Sequence, residues 1–233
     1  MSAPKLTPAQ AFTETAVQHS LGISHPAIYQ SVFDIFNRLG IQQGHLLDYG
    51  SGQGDFPRAV LQNKYEFTIH AVDLMFTKMQ NVNWYVQDLN RALQFKDYQF
   101  DMVTCIEVIE HLENPRRVMR ELFRILKPGG WCVLTTPNNE SWRAILSYVM
   151  RGHFVSFTDS SYPAHITALN KIDLMRVFKE AGFKDPKCSY TGYGVVPKFT
   201  DHTWQEISRG LLKGKRYSDN IVFAAQKIVE TEE

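Results

Sequence analysis

The residues of this chain able to do chemistry fall into two groups. The first is the stretch LLDYGSGQGDF, in which Gly50, Gly52 and Gly54 are spaced G-x-G-x-G between Asp48 and Asp55. A glycine loop between a strand and a helix lets a ligand lie against bare backbone, with helix amides available beyond it. The dinucleotide fingerprint has the spacing G-x-G-x-x-G and a P-loop ends in G-K-[ST], so this loop fits neither. Two flanking carboxylates repel a pyrophosphate and suit a ligand with a cationic end. The second group is Glu107, Glu110 and His111, spaced i, i+3, i+4, with His165 further on. Such spacing puts three side chains on one face of a helix. Carboxylate and imidazole together suit either proton abstraction near neutral pH or a divalent cation.

S-adenosylmethionine meets the first requirement, since it carries an ammonium and a sulfonium and no phosphate. Two further acids extend the pattern. Asp73 closes the run IHAVD, 25 positions after Asp48, where a carboxylate can accept hydrogen bonds from ribose hydroxyls. Asp88 and Leu89 close NWYVQDL, where an acid can take an adenine amino proton and a leucine can cover the ring. A solvated turn aspartate is the ordinary reading of each alone. Three acids at successive strand ends beside one glycine loop are harder to dismiss.

These residues need a scaffold that brings strand ends together. A helix is expected from about His25 through HPAIYQSVFDIFNRLG, with proline in the first turn and glycine after the last. GHLLDYG, FTIHAVDL and NWYVQDL read as strands, and a helix should start near Asp55 or Phe56. QFDMVTCIEVIEHL reads as a fourth strand running into a helix that continues through RRVMRELFRILKPGG, and WCVLTTPN as a fifth strand. SWRAILSYVM and NKIDLMRVFKEAGF read as helices around a polar, aromatic-rich loop, and NIVFAAQKIV as the final strand. Strands alternating with helices predict a doubly wound, mostly parallel sheet in one α/β domain spanning 1–233. Within it, a helical N-terminal segment (about 1–43) and a substrate-side insertion (about 139–169) are expected.

Composition narrows the partners. A net charge of +1 gives no electrostatic footing for nucleic acid or an anionic membrane. Cys105, Cys132 and Cys188 have neither metal spacing nor a disulfide framework, so reduced thiols are expected. With no leader pattern and no run of ~20 apolar residues, a cytoplasmic protein with no membrane span is expected.

LLDYGSGQGDF, AVDL, VQDL, FDMVTCIEVIEHLENP and LKPGGWCVLTTPN together resemble the successive motifs of class I S-adenosylmethionine-dependent methyltransferases. The likeness is strong over 46–138 and weaker through HITALNKIDLMRVFKEAGF. It implies a Rossmann-like sheet of seven strands whose last strand, NIVFAAQKIV, is antiparallel. It also implies that Asp48, Gly50, Ser51, Gly52 and Gly54 face the methionine part of the cofactor. Asp73 with Leu74 would hold the ribose, Asp88 with Leu89 the adenine, and Cys105, Ile106 and Glu107 would lie near the reactive methyl. Glu107, His111 and His165 are the catalytic candidates. A similar E-x-x-E-H with a later histidine occurs in metal-dependent methyltransferases, which makes Glu107, Glu110, His111 and His165 candidate ligands for magnesium, manganese or zinc. O-methylation of a small molecule or glycan unit is the expected activity. The alternatives are a metal-dependent RNA ribose 2′-O-methyltransferase and a non-catalytic cofactor-binding partner subunit. His19, His25, His153, His202 and the aromatics Trp142, Tyr148, Phe154, Phe157, Tyr162, Tyr190 and Tyr193 are weaker candidates for the substrate side.

Overall fold

The structure, a computed structural model, describes residues 24–228, and His19 lies outside them. The first helix, α1 (Pro26–Leu39), buries Ile28, Val32, Ile35 and Phe36, the i, i+4, i+7, i+8 stripe of an amphipathic helix. His25 caps it by accepting the Ala27 N–H at Nδ1, and Gly40 ends it in the left-handed region. β1 (Gln43–Tyr49) follows, then α2 (Asp55–Gln62), β2 (Glu66–Asp73), β3 (Val82–Val86) and β4 (Phe100–Ile106). Next come α3 (Pro115–Ile125), β5 (Leu126–Pro137), α4 (Trp142–Arg151), α5 (Lys171–Ala181) and β6 (Lys184–Tyr190). A hairpin of β7 (Val195–Val196) and β8 (Phe199–Thr203), the short helix α6 (Trp204–Ile207) and β9 (Asn220–Gln226) complete the described chain. None of the described helices is long and apolar enough to cross a membrane.

The main sheet has seven strands in the order β3-β2-β1-β4-β5-β9-β6. Strands β1 to β5 pair in parallel, and β9 is antiparallel to both β5 and β6. The doubly wound sheet expected from the alternating elements is therefore present, and NIVFAAQ supplies the antiparallel strand. That strand is not at the edge, however: β6 lies outside it. Side chains alternate between two cores, as a two-residue period requires. Leu47, Val103 and Cys105 enter the core under α3 and α5, while Leu46, Met102 and Ile106 enter the core under α1 and α2. Strand order reverses between β1 and β4. A crevice at the carboxyl ends of the strands opens there, as it does in open α/β sheets generally.

One expectation fails. No helix continues from β4 through EVIEHL. Glu107 takes a left-handed backbone (φ 54°), a single 3-10 turn follows at Ile109–His111, and α3 begins only at Pro115 with Asn114 as its cap. Proline at the first turn explains the break, because residues before it are pushed out of the helical region. Neither β6 nor the β7–β8 hairpin was expected, since KDPKCSY and VVPKFTDHT lack strict alternation.

Candidate active site

The loop after β1 is tied to the next strand before any ligand is considered. The N–H groups of Gly50 and Ser51 both donate to the Val72 carbonyl, at 2.9 and 3.2 Å, and the Gly52 N–H donates to Asp73 Oδ2 at 2.8 Å. Gly50 has φ 83°, and a Cβ there would lie 2.3 Å from Val108 Cγ2. Only glycine fits that position without moving the β4 end.

A cavity of about 420 Å³ lies over this loop and the ends of β1, β2 and β4. Asp48, Gly50, Ser51, Gly52, Asp73, Leu74, Asp88, Leu89, Ile106 and Glu107 line one end of it. Glu110, His111 and His165 line it too, so the structure brings together nearly every residue named from sequence. Two do not line it. Cys105 is fully buried and points to the opposite face of the sheet from Ile106, because neighbouring strand residues alternate. Gly54 caps α2 with φ 82°, and a Cβ there would meet Met79 rather than open space. Their expected contact with a cofactor is corrected on these grounds.

Electrostatics divide the acids. Asp48 is 2% exposed, and burial pushes its carboxyl up to about 7 even though Thr104 Oγ1 donates to Oδ1 at 2.8 Å. No cationic side chain of the described residues pairs with it, so its charge is uncompensated. A buried carboxylate of this kind favours a cationic ligand. Asp73 accepts the Gly52 and Met75 N–H groups, and Asp88 accepts the Asn90 N–H and the Arg91 guanidinium.

At the other end, Glu107 is committed to the scaffold. Its Oε1 accepts Thr135 Oγ1 at 2.8 Å and its Oε2 accepts Asn220 Nδ2 at 2.7 Å, while burial and the neighbouring Glu110 push its carboxyl well up. Glu110 is fully buried. Thr136 Oγ1 donates to its Oε2 at 2.9 Å, but Oε1 has no partner among the described residues, and burial raises the carboxyl to about 7. His111 Nδ1 lies 2.8 Å from the Ala164 carbonyl and His165 Nδ1 lies 2.6 Å from the Ser156 carbonyl. A carbonyl only accepts, so both Nδ1 atoms carry the proton and both Nε2 atoms are left with lone pairs. Burial lowers both imidazole pKa values, keeping the rings neutral. The two rings meet edge to face with centroids 4.7 Å apart, and ligand atoms of Glu110, His111 and His165 lie within 4.8 Å of one another. Glu107 is not in that group, which corrects its placement among the metal candidates. The helical face expected to gather these residues is absent. A tight turn and the hydrogen bonds from Ile166 and Thr167 N–H to the Glu110 carbonyl assemble them instead.

Several lining residues went unnoticed in the sequence. Ser24, Ile28 and Tyr29 close the cavity from α1, beside His25, whose ring stacks on Tyr193 at 4.0 Å. Arg143, Asp219 and Asn220 wall the far side, with Arg143 Nη1 3.0 Å from Asp219 Oδ2. Asp219 precedes and Asn220 begins an antiparallel strand, whose start must lie at the carboxyl ends of its parallel neighbours. That signal was available. His153 and His202 do not line the cavity, nor do the seven aromatics considered for its wall, since Trp142, Tyr148 and Tyr162 face outward and Tyr148 stacks on Phe154.

Residues 26–186 match a family model described as a methyltransferase domain. The chain belongs to the class I S-adenosylmethionine-dependent methyltransferases. Among its relatives, this methyltransferase is 23% identical over 164 residues to a ubiquinone biosynthesis O-methyltransferase of Thiobacillus denitrificans, covering 66% of this chain and 70% of that one. It is 24% identical over 158 residues to the Psychrobacter arcticus protein of the same name, where the match spans 62% of this chain and 61% of the relative. The fold matches Burkholderia thailandensis 1,6-didemethyltoxoflavin-N1-methyltransferase, solved with S-adenosylhomocysteine, at a TM-score of 0.62 and 14% identity over 98% of this chain and 94% of that one. A methyltransferase from Thermotoga maritima aligns at a TM-score of 0.61 and 17% identity, covering 91% of each chain.

Proposed function

We propose that this methyltransferase transfers the methyl group to a hydroxyl oxygen of a small molecule, and that the cavity residues divide into a cofactor end and an acceptor end. One observation carries the acceptor chemistry: His111, His165 and Glu110, whose Oε1 has no partner among the described residues, line one part of the cavity with ligand atoms within 4.8 Å of one another. With Glu110 ionised, as it is above about pH 7, two neutral imidazoles and a carboxylate call for a proton-bearing or cationic group. A hydroxyl fits, and either imidazole can take its proton as the oxygen attacks. The names of the relatives in ubiquinone biosynthesis support oxygen as the acceptor atom.

At the cofactor end, Asp48 would face the ammonium, Asp73 the ribose hydroxyls, and Asp88 with Leu89 the adenine. The fit rests on the uncompensated buried charge of Asp48 and on the loop residues Gly50 and Gly52 that line the cavity beside it. When bound, the cofactor supplies an activated methyl on a sulfonium. Positioning and desolvation are left to the protein. Glu107 ties the end of β4 to β9 through Asn220 and holds the wall between the two ends.

The ligand-atom cluster favours a second form of the same function. Two imidazoles and a carboxylate suit zinc or manganese, and such an ion held by Glu110, His111 and His165 would lower the pKa of an acceptor hydroxyl in place of a base. A screen of phenols, alcohols, sugars and amines with radiolabelled cofactor, run with and without chelator, tests both. Label in phenols or alcohols supports the proposal. Label in amines alone overturns it. Loss of activity on chelation, restored by a divalent ion, selects the metal form.

A further inference from the structure

α4 is unusual among the helices in that Ala144 is its only buried residue. At 100° per residue, Trp142, Leu146, Val149 and Met150 fall on one face and Ala144 on the opposite one. That outward face is apolar, with Val149 76% and Met150 62% exposed. Next to it lies the loop after α6, where Leu211 is 86% exposed. The two are joined by the Trp142 N–H bond to the Arg216 carbonyl and by the Arg216 guanidinium 5.2 Å over the Trp142 ring.

Charge on this surface has one sign. No Asp or Glu occurs in 142–158 or in 207–218, whereas Arg151, Arg209 and Lys213 are exposed there. Of the acids at its border, Glu140 pairs with Lys215, Asp219 with Arg143 and Glu206 with the Thr203 cap, while Asp159 beyond the end of the segment is exposed. We infer that the outer face of α4 and the neighbouring 207–213 loop dock the protein onto an anionic lipid bilayer. Apolar side chains flanked by lysine and arginine are the pattern of an interfacial helix, which lies in the headgroup boundary without spanning it. A second copy of the chain fits less well, because a two-fold contact would press this acid-free surface against itself. The net charge of +1 hid the patch, since acids elsewhere cancel it. Docking here would set the cavity beside the bilayer: Arg143, on the flank of the apolar face of α4, lines the cavity, and Ser156 and His165 line it from the segment that follows.

The test is vesicle co-sedimentation of the full chain at low and high salt. Vesicles of phosphatidylcholine alone are compared with vesicles containing added phosphatidylglycerol. Variants are Val149→Ser with Met150→Ser, and Arg209→Glu with Lys213→Glu. All four positions lie on the surface and outside the cavity, and circular dichroism and S-adenosylhomocysteine affinity check that the fold is kept. The expected result is binding that requires phosphatidylglycerol, weakens with salt, and falls at least about tenfold in each variant. No sedimentation of the wild-type chain with the anionic vesicles overturns the inference, as does equal binding by all variants. A dimer in light scattering that the serine variant breaks, without vesicle binding, assigns the surface to a second copy instead. None of these readouts depends on the identity of the methyl acceptor.

Discussion

Asp48→Asn is predicted to stabilise the ligand-free protein while removing its affinity for S-adenosylmethionine. The wild-type carboxyl has an ordinary value of 3.8 and is raised to about 7 by burial. The folded state therefore holds this proton more tightly than the unfolded chain does. The stability it contributes is complete below about pH 4 and is lost as the pH rises through about 7. At 1.36 kcal/mol per unit, a shift of about three units sets a ceiling of about 4 kcal/mol on the destabilisation at pH 8. Asparagine is isosteric, stays neutral, and can still accept the Thr104 hydroxyl bond through Oδ1. The variant should thus melt on the order of 5 °C higher at pH 8, with the difference shrinking as the pH falls and vanishing at or below about pH 4. Calorimetric titration should show cofactor affinity falling at least about tenfold, the loss of one charge-assisted contact. In the wild type, affinity should weaken as pH falls below about 7, where a proton occupies the carboxylate. A less stable variant at pH 8, or one with unchanged affinity, refutes the account of Asp48 as an uncompensated anion awaiting a cation.

Asp73→Ala should weaken cofactor binding by about 1.5–3 kcal/mol, measured by the same titration, because a charged acceptor is lost. Gly50→Val should abolish it, since a side chain there meets Val108 and the backbone is left-handed; wild-type affinity would show that the loop has another role. Glu107→Gln should keep cofactor affinity within a few-fold in calorimetry and lower turnover modestly, as its carboxyl is already held near neutral and bonded to Thr135 and Asn220. A complete loss of turnover with the fold intact would make Glu107 a reacting group.

The end of the cavity proposed for the cofactor was largely legible as a cluster because its residues sit at strand ends, where a short apolar run followed by an acid fixes both position and face. Asp48, Asp73 and Asp88 each close such a run. Cys105 was misplaced by treating a whole strand end as site-facing, when alternation sends it into the opposite core. The acceptor end was only half legible. His111 and His165 were named, but the expected helical face does not exist, since Pro115 delays the helix and a 3-10 turn gathers the side chains. Their Nδ1 partners are main-chain carbonyls of Ala164 and Ser156, contacts that no side-chain pattern encodes. Arg143 and Asp219 are 76 positions apart and meet only through the crossing of α4 and the start of β9, so periodicity could not pair them. The outward stripe of α4 was read as an ordinary amphipathic helix because sequence does not say which face finds a partner.

The division of the cavity into a binding end and a reacting end is tested most directly in the His111→Ala, His165→Ala double variant. Its cofactor Kd and its single-turnover rate are measured together on an acceptor found in the screen. Unchanged Kd with a rate lowered by about 10²-fold or more is the predicted result, since removing a general base costs that much and neither imidazole is needed to hold the cofactor. A full transfer rate, or a rate loss that merely follows a weakened Kd, would contradict it.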